Sequence, residues 1–164
     1  MEAEPQNVKV RLELAEEYGK SGHRELELDH LRLAVERFTD SEAAMMALSR
    51  ALVRAGQPLE AWRRLQEFIG KHEKASANIY SWAGIAADEM ENWKEGEPWH
   101  RKAVARAPGR DQLHNNLGYN LMMQGRKSDA AEEFRRALEL NPASETARNN
   151  LGDRKSTRLN SSHT

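Results

Sequence analysis

The chain has 164 residues, of which 31% are charged and 6% aromatic, and its 25 basic and 26 acidic residues give a formal net charge of -1. A protein that binds the phosphate backbone of nucleic acids needs a net basic face. The near-zero net charge therefore argues against a general nucleic-acid-binding protein and leaves open only a local basic patch. The absence of cysteine excludes disulfides, thiolate metal sites and a cysteine nucleophile.

The first seven residues, 1–7, are a short N-terminal lead. They lack the basic and apolar regions of a secretory signal peptide. No apolar run in the chain approaches the ~20 residues of a membrane-spanning helix. If Met1 is the true start, the default expectation is a cytoplasmic protein, although the location is otherwise unknown.

The rest of the chain repeats itself with a period of 34 residues. The letters NNLG at 115–118 recur at 149–152, and Gly84 precedes Gly118 by the same 34 residues. Such a period predicts an array of similar units, each too small to bury its own core. The predicted units are 8–41, 42–76, 77–110, 111–144 and a partial fifth unit, 145–152.

The first two units carry the repeat pattern with substitutions. In the first unit, Glu27 occupies a place where the other units have a small residue. In the second unit, Ala61 holds that place, Phe68 stands where alanine is usual, and one extra residue near Ser76 shifts the phase. Both units are still predicted to be helix, turn and helix.

The third unit departs from the pattern in its second half. His100 takes the place of the usual aromatic residue, and Pro98 lies inside the expected second helix. Proline in a helix interior costs ~3 kcal/mol. We therefore expect a short or kinked second helix in this unit.

The fourth unit shows the pattern most clearly. Leu113, Leu117 and Leu121 recur every four residues, which makes one apolar stripe on a helix. Gly125 then interrupts the stripe, and Pro142 follows a second apolar helix, where it stops that helix at the preceding residue. The unit therefore reads as helix, tight turn, helix and stop.

The spacing of these residues resembles the tetratricopeptide repeat signature, which is carried here by Leu117, Gly118, Gly125, Ala130, Phe134, Ala137 and Pro142. The resemblance covers Val8 to Gly152 and is strongest in the later half. It implies an all-α fold, a right-handed α-solenoid of antiparallel helix pairs with about four units and the start of a fifth. Small residues are needed where the two helices of a unit cross, because bulk would separate them.

The last residues, 153–164, show no helical period and form a non-native tail in our interpretation. The letters DRKSTRLNSSH are what a common short-read sequencing adapter yields when it is translated codon by codon. We predict adapter read-through, so the natural protein is expected to continue beyond Gly152. A polar disordered tail is the alternative.

No pattern in the sequence indicates catalysis, and no cofactor or metal is expected. HExxH, GxxxxGK[ST], GxGxxG and GxSxG are all absent. His23 and His30 are interpreted as surface histidines. His100 and His114 occupy repeat places that are usually aromatic, so they are predicted to pack in the core rather than to hold a metal. We therefore expect that the protein is not an enzyme.

In the family that this chain resembles, the first helices of successive units line a concave groove that holds the ligand. The resemblance carries that face over to places in the early units that include Leu12, Glu16 and Ala47. The predicted partner-binding residues are Arg50, Asn78, Trp82, Ile85, Gln112, Asn115, Asn116, Tyr119, Met122, Met123, Asn149 and Asn150.

The asparagines of this face have two interpretations. Asn116 and Asn150 hold the same repeat place, so they could form a ladder that pairs with an extended peptide backbone, similar to the ladder in the repeat arm of O-GlcNAc transferase. Alternatively, they bridge adjacent first helices. Trp82, Tyr119, Met122 and Met123 are either an apolar anchor for a partner or part of the core between repeats.

The leading hypothesis is a scaffold or adaptor that binds a protein or an extended peptide, whose identity the sequence does not reveal. One alternative is the substrate-recognition arm of a larger, glycosyltransferase-like enzyme whose catalytic domain is missing. Another, from resemblance alone, is a bacterial pilus-assembly or secretion accessory protein. Self-association is also expected, because the last repeat would expose an apolar face without a cap.

Overall fold

A computed structural model describes residues 5–152; the predicted tail and residues 1–4 lie outside the described part. Within it the chain is helical, with short turns and no strand. The predicted all-α solenoid is therefore confirmed. The helices are α1 (Pro5–Lys20), α2 (Arg24–Arg37), α3 (Glu42–Arg54), α4 (Pro58–Lys71), α5 (Ala77–Asp88), α6 (Trp93–Arg106), α7 (Asp111–Met123), α8 (Lys127–Leu140) and α9 (145–152).

The helices pair in chain order, and the pairs stack side by side. α1 packs on α2, α3 on α4, α5 on α6 and α7 on α8, and each second helix also contacts the first helix of the next pair. The turns within pairs are short, so the two helices of a pair run antiparallel. The first helices also contact one another, α1 with α3, α3 with α5 and α5 with α7.

In the third and fourth pairs, a glycine on the first helix faces a ring on the second helix at the same repeat positions. A methyl group built on Gly84 would lie 2.6 Å from a ring carbon of His100, and one built on Gly118 would lie 2.7 Å from a ring carbon of Phe134. Gly84 and Gly118 are 34 residues apart, and so are His100 and Phe134, so the two contacts are equivalent in the repeat. Glycine is needed at both places because the facing ring leaves no room for Cβ.

The turn between the two helices of each pair has one residue in the left-handed region. In three pairs this residue is glycine: Gly22, Gly56 and Gly125 have φ angles of 82°, 74° and 78°. In the third pair the same place holds Glu91, with a φ angle of 59°. A left-handed conformation is costly for a residue with a side chain, so this turn departs from the pattern of the other three.

Two boundaries differ from the sequence-based expectations. α6 is as long as α4 and α8, at 14 residues, so Pro98 does not shorten the helix; the alternative expectation of a kink stays a prediction. Pro98 lies early in α6, where its missing N–H removes one hydrogen bond and its ring faces a carbonyl of the first turn. The described part of α1 starts at Pro5, within the predicted lead, and proline is compatible with the first turn of a helix.

The core runs along the stack between the two layers of helices. One cluster of buried apolar side chains extends from Ala15 in the first pair to Leu113 in the fourth, and a second surrounds Phe134 in the fourth pair. Val104 packs against both clusters, so they are continuous through α6. His100 is buried in this core, as predicted from its repeat place.

Candidate partner-binding groove

The predicted partner-binding residues lie on the first helices α3, α5 and α7 and on α9, and most of them reach the surface. The exposed members are Arg50, Gln112, Tyr119, Met123 and Asn149, the half-buried members are Asn78, Trp82, Ile85, Asn116, Met122 and Asn150, and Asn115 is buried.

The asparagines bridge neighbouring first helices. The side-chain amide of Asn116 donates to Ser81 Oγ at 3.2 Å, and that of Asn150 donates to Asn115 Oδ1 at 3.0 Å. The two donors hold one repeat place and the two acceptors another, so the same bridge recurs in successive units. The structure therefore contains the second of the two predicted asparagine arrangements. Each donor amide has two N–H groups, and each bridge uses one of them.

The apolar residues of the face divide into two kinds. Trp82 packs against the first core cluster and Met122 against the second. Tyr119 and Met123, in contrast, are 40% and 45% exposed. The Tyr119 ring meets Trp93 edge to face, with 6.1 Å between ring centroids. The apolar surface open to a partner at this end of the groove is therefore centred on Tyr119 and Met123.

A buried polar cluster links the third and fourth pairs, and the sequence patterns did not reveal it. Asn120 has no exposed surface, and its amide donates to Asp88 Oδ1 at 2.6 Å and to the carbonyl of Trp93 at 2.8 Å. The other oxygen of Asp88 lies 2.8 Å from His100 Nε2. Gly96 was a sequence feature related to this cluster, because a Cβ at this position would collide with Asp88. The relation is visible only once the packing is known.

The polar cluster continues to the surface through Gln124. The amide of Gln124 donates to Asn120 Oδ1 at 2.8 Å and to Glu97 Oε2 at 3.0 Å. Burial raises the pKa of Glu97, but hydrogen bonds from Gln124, Arg101 and Arg126 outweigh burial, so the pKa of this carboxyl lies below its usual value. This chain of contacts ties α5, α6 and α7 together beneath the exposed Tyr119.

At the other end of the molecule, a cavity of about 580 Å³ opens between α1, α2 and α3. We call it the N-terminal groove. It includes Leu12, Glu16, Ala47 and Arg50, all of which belong to the face expected from the sequence. The complete lining is Leu12, Glu16, Gly19, Lys20, Arg24, Glu27, Leu31, Ala43, Ala47, Arg50 and Arg54.

The described residues show neither a metal site nor a membrane-spanning helix. Within residues 5–152, no three side chains of histidine, aspartate or glutamate come together in a way that could hold a metal ion. His114 instead bonds the Pro108 carbonyl and Glu133, each at 2.8 Å or less, which is a packing role. None of the described helices is long and apolar enough to cross a membrane.

Stacked antiparallel helix pairs with an accessible face on their first helices define a helical-repeat protein. Residues 112–144 match the family model described as Tetratricopeptide repeat. The chain therefore resembles tetratricopeptide-repeat proteins in this segment and in its stacked helix pairs.

Solved structures of tetratricopeptide-repeat proteins share the fold. TTC0263 of Thermus thermophilus has a TM-score of 0.77 at 20% identity, with 92% of this chain and 82% of that chain covered. A MamA RS-1 double mutant has a TM-score of 0.76 at 16% identity and covers 92% and 84%. YrrB, described as a TPR protein with an unusual peptide-binding site, has a TM-score of 0.68 at 17% identity and covers 92% and 77%.

The chain is also similar in sequence to part of a much longer protein. It is 34% identical over 74 residues to the protein O-mannosyl-transferase TMTC1 of Homo sapiens, and the mouse protein matches equally. The match covers 45% of this chain and 8% of the human protein. The matching segment therefore spans less than a tenth of the length of these relatives.

Proposed function

We propose that this protein is a non-catalytic scaffold or adaptor whose first-helix face binds an extended segment of another protein. The observation that carries the proposal is the exposure of Tyr119 and Met123 on α7. They are four residues apart and share one side of the helix. Aromatic and methionine side chains are enriched at protein interfaces because they supply adaptable apolar contact.

The asparagines support this function in a modified role. Asn116 precedes Tyr119 by three residues and lies on the same side of α7. Its bond to Ser81 fixes the direction of the amide and leaves a second N–H for a ligand. An amide held in this way is a preorganised partner for a peptide backbone, which reconciles the bridging arrangement with binding.

The family also supports the proposal. Tetratricopeptide repeats generally mediate protein–protein interaction, and the structural neighbour YrrB is described by its peptide-binding site. For this chain the partner, and the use of this particular face, remain proposals. Selection for binding peptides tests both, because it does not require an identified partner.

The test uses peptides selected on the intact chain from a phage-displayed random library. Their Kd is measured by fluorescence anisotropy for the unmodified chain and for the double variant Tyr119→Ala/Met123→Ala. Because both side chains are exposed, the variant should fold normally. We expect binding to weaken at least tenfold, about 1.4 kcal/mol.

The matched control is the double variant Leu33→Ala/Leu59→Ala. These leucines are 50% and 48% exposed, but they lie on the second helices α2 and α4. The control should retain the original Kd. An equal loss in both variants, or no loss in either, would contradict the groove assignment.

A second candidate function is the substrate-recognition arm of a glycosyltransferase-like enzyme. The specific observation in its favour is the 74-residue similarity to protein O-mannosyl-transferase TMTC1. Sequencing the gene upstream and downstream of these repeats tests it. A transferase domain in the same reading frame supports the arm, whereas a reading frame of repeats alone contradicts it.

Self-association through the last repeat stays a prediction. In the described part, α9 already covers the fourth pair through Ala147, which is fully buried, and Leu151, which packs against the second core cluster. Sedimentation velocity over a wide concentration range measures the effect. A single monomeric species throughout would contradict the prediction.

A further inference from the structure

The N-terminal groove is basic in a chain that is nearly neutral. Its lining includes four cationic side chains, Lys20, Arg24, Arg50 and Arg54, and two carboxylates, Glu16 and Glu27. The local balance is 4 − 2 = +2, against -1 for the chain as a whole. The lining of the N-terminal groove therefore carries a net positive charge.

Only part of this positive charge is neutralised within the groove. Lys20 pairs with Glu16 at 2.9 Å, and Arg54 pairs with the buried Glu27. Arg24 and Arg50 form no ion pair with any described residue, and both side chains are exposed. Two arginines that line the cavity, Arg24 on α2 and Arg50 on α3, therefore remain available for a ligand.

The surroundings of Arg50 indicate that its charge reaches into the groove. The pKa of Glu16 is lowered first by the hydrogen bond from Lys20, and Arg50 contributes in the same direction. Arg54 is half exposed and bonds Glu27 through a single guanidinium nitrogen. A guanidinium has five N–H donors, so this contact leaves other donors of Arg54 for a ligand.

The floor of the groove is small and apolar. Ala43 and Ala47 lie on α3, and Leu12 and Leu31 lie opposite on α1 and α2. Ala47, Leu12 and Leu31 belong to or pack against the core, whereas Ala43 is exposed. Because the two alanine side chains are small, they leave room in the cavity for a peptide backbone whose carboxylates could reach the guanidinium groups of the lining.

We propose that the N-terminal groove binds an acidic stretch of the partner, with side-chain carboxylates of aspartate or glutamate on Arg24 and Arg50. The inference rests on the proposed function, since the same extended segment would continue along the face to Tyr119 and Met123. Arginine suits this role because its planar fork holds a carboxylate by two hydrogen bonds. The partner segment is therefore acidic at one end and apolar at the other.

An acidic peptide fits the groove better than RNA does. Glu16 and Glu27 line the same cavity and would repel a continuous phosphate backbone, whereas a peptide can place its carboxylates on the arginines alone. The described lining has no aromatic side chain on which a base could stack. Single-stranded RNA is therefore included in the test as a competitor that should not bind.

The probes are fluorescein-labelled peptides of about twelve residues, which span about 40 Å when extended. The first alternates glutamate, aspartate and serine around one leucine; a second replaces every acidic residue by its amide; a third replaces them by lysine. All are amidated at the C-terminus, and a fourth, acidic peptide has a free terminal carboxylate. The RNA probe has a comparable length.

We expect the acidic peptide to bind at least tenfold more tightly than its amide counterpart, and the lysine peptide not to bind. The free terminal carboxylate should add little, because side chains carry the recognition. Raising the salt concentration from about 50 to about 300 mM should weaken the acidic peptide, since exposed charge pairs are screened. Equal binding of the acidic and amide peptides, or tighter binding of RNA, would overturn the proposal.

The variant is Arg24→Glu/Arg50→Glu, and its matched control is Arg63→Glu/Arg135→Glu. All four arginines are exposed, and the control pair lies on the second helices α4 and α8. Both variants change the net charge of the chain by the same amount. We expect at least a tenfold loss for the groove variant only, with circular dichroism unchanged in both.

The two proposals fail in different ways. Suppose that the library-selected peptides depend on Tyr119 and Met123, but that Arg24→Glu/Arg50→Glu does not change the binding of any acidic peptide. The inference about an acidic partner is then wrong, and the assignment of Tyr119 and Met123 to the binding face stands. If neither set of substitutions changes the Kd of the selected peptides, the proposed binding face on the first helices is itself wrong. Equal losses of affinity for the acidic peptide in Arg24→Glu/Arg50→Glu and in its charge-matched control would also overturn the inference. The loss would then come from the net charge of the chain and not from the N-terminal groove.

Discussion

The contact between the first two helix pairs and the contact between the last two share one backbone arrangement but differ in chemistry. In the first, Arg32 on α2 bonds Glu60 on α4 at 2.7 Å, with both side chains partly exposed. In the last, Asn120 bonds Asp88 and the Trp93 carbonyl without access to solvent. Stacking is therefore determined by the apolar and small residues that both contacts share, whereas the polar groups are free to vary.

The first and second pairs also differ in how completely the shared places are buried. Leu14 and Leu48 hold the same repeat place, yet Leu14 is 42% exposed and Leu48 is fully buried. In the described part, the second pair receives the preceding pair on this side and the first does not. The burial of a repeat residue therefore depends on the neighbour that it meets rather than on its own unit.

The largest expected effect tests that difference directly. Leu48→Ala should lower the free energy of unfolding by about 2–5 kcal/mol, because it removes buried methyl groups and leaves a cavity. Leu14→Ala should cost less than about 1 kcal/mol, since much of the side chain is already in water. Urea denaturation of the two variants measures both values; equal losses would mean that another group covers Leu14 in solution.

The next effect concerns the polar contact between the last two pairs. Asn120→Ala should lower the free energy of unfolding by about 1–3 kcal/mol, because the Trp93 carbonyl and one oxygen of Asp88 lose a buried donor. Salt should change this loss little, since the group is inaccessible to ions. Gln124→Ala, at the half-buried edge of the same cluster, is the control and should cost less. A strongly salt-dependent loss at Asn120 would contradict its burial.

A smaller effect comes from the turn of the third pair. Glu91→Gly should raise the free energy of unfolding by about 0.5–1 kcal/mol, because glycine tolerates the left-handed conformation that it adopts at this place in the other three pairs. The reciprocal substitution Gly125→Ala should lower it by a similar amount. Thermal unfolding of both variants provides the comparison. Destabilisation by Glu91→Gly would show that the glutamate side chain itself contributes to the turn.

The smallest expected effect is the pH dependence of the stabilisation by the Arg32–Glu60 pair, which joins the first two helix pairs. A hydrogen bond from Arg32 is the main cause that lowers the pKa of Glu60. Since the folded pKa lies below the unfolded value, the pair stabilises the fold above the ordinary glutamate pKa, about 4.3, and this stabilisation is lost as pH falls through the folded pKa. At pH 7, Glu60→Gln should cost less than about 1 kcal/mol.

The comparison needs urea denaturation at neutral and at acidic pH. The difference between the unmodified chain and Glu60→Gln should close as the pH falls below about 4. Asn120→Ala should keep its deficit over the same range. A Glu60→Gln deficit that persists in acid would show that shape rather than charge accounts for the contact.

Much of the fold was predictable from the sequence. The predicted units begin at residues 42, 77 and 111, and in the structure α3, α5 and α7 begin at Glu42, Ala77 and Asp111. The length of α6 was not predictable, because the cost of Pro98 depends on how far into the helix it falls. The predicted face was largely accessible, but its asparagines were found to bridge helices.

What the sequence determined by itself is the repeating unit, because glycine and alanine at fixed spacing allow close helix crossing and few other residues do. Only the tertiary structure decided which side chains of the face remain open. Trp82 and Tyr119 lie on neighbouring first helices, yet one packs into the core and the other faces solvent. The tertiary structure also brings Arg24 and Arg50 to one cavity, because α2 and α3 belong to different pairs and meet only when the pairs stack.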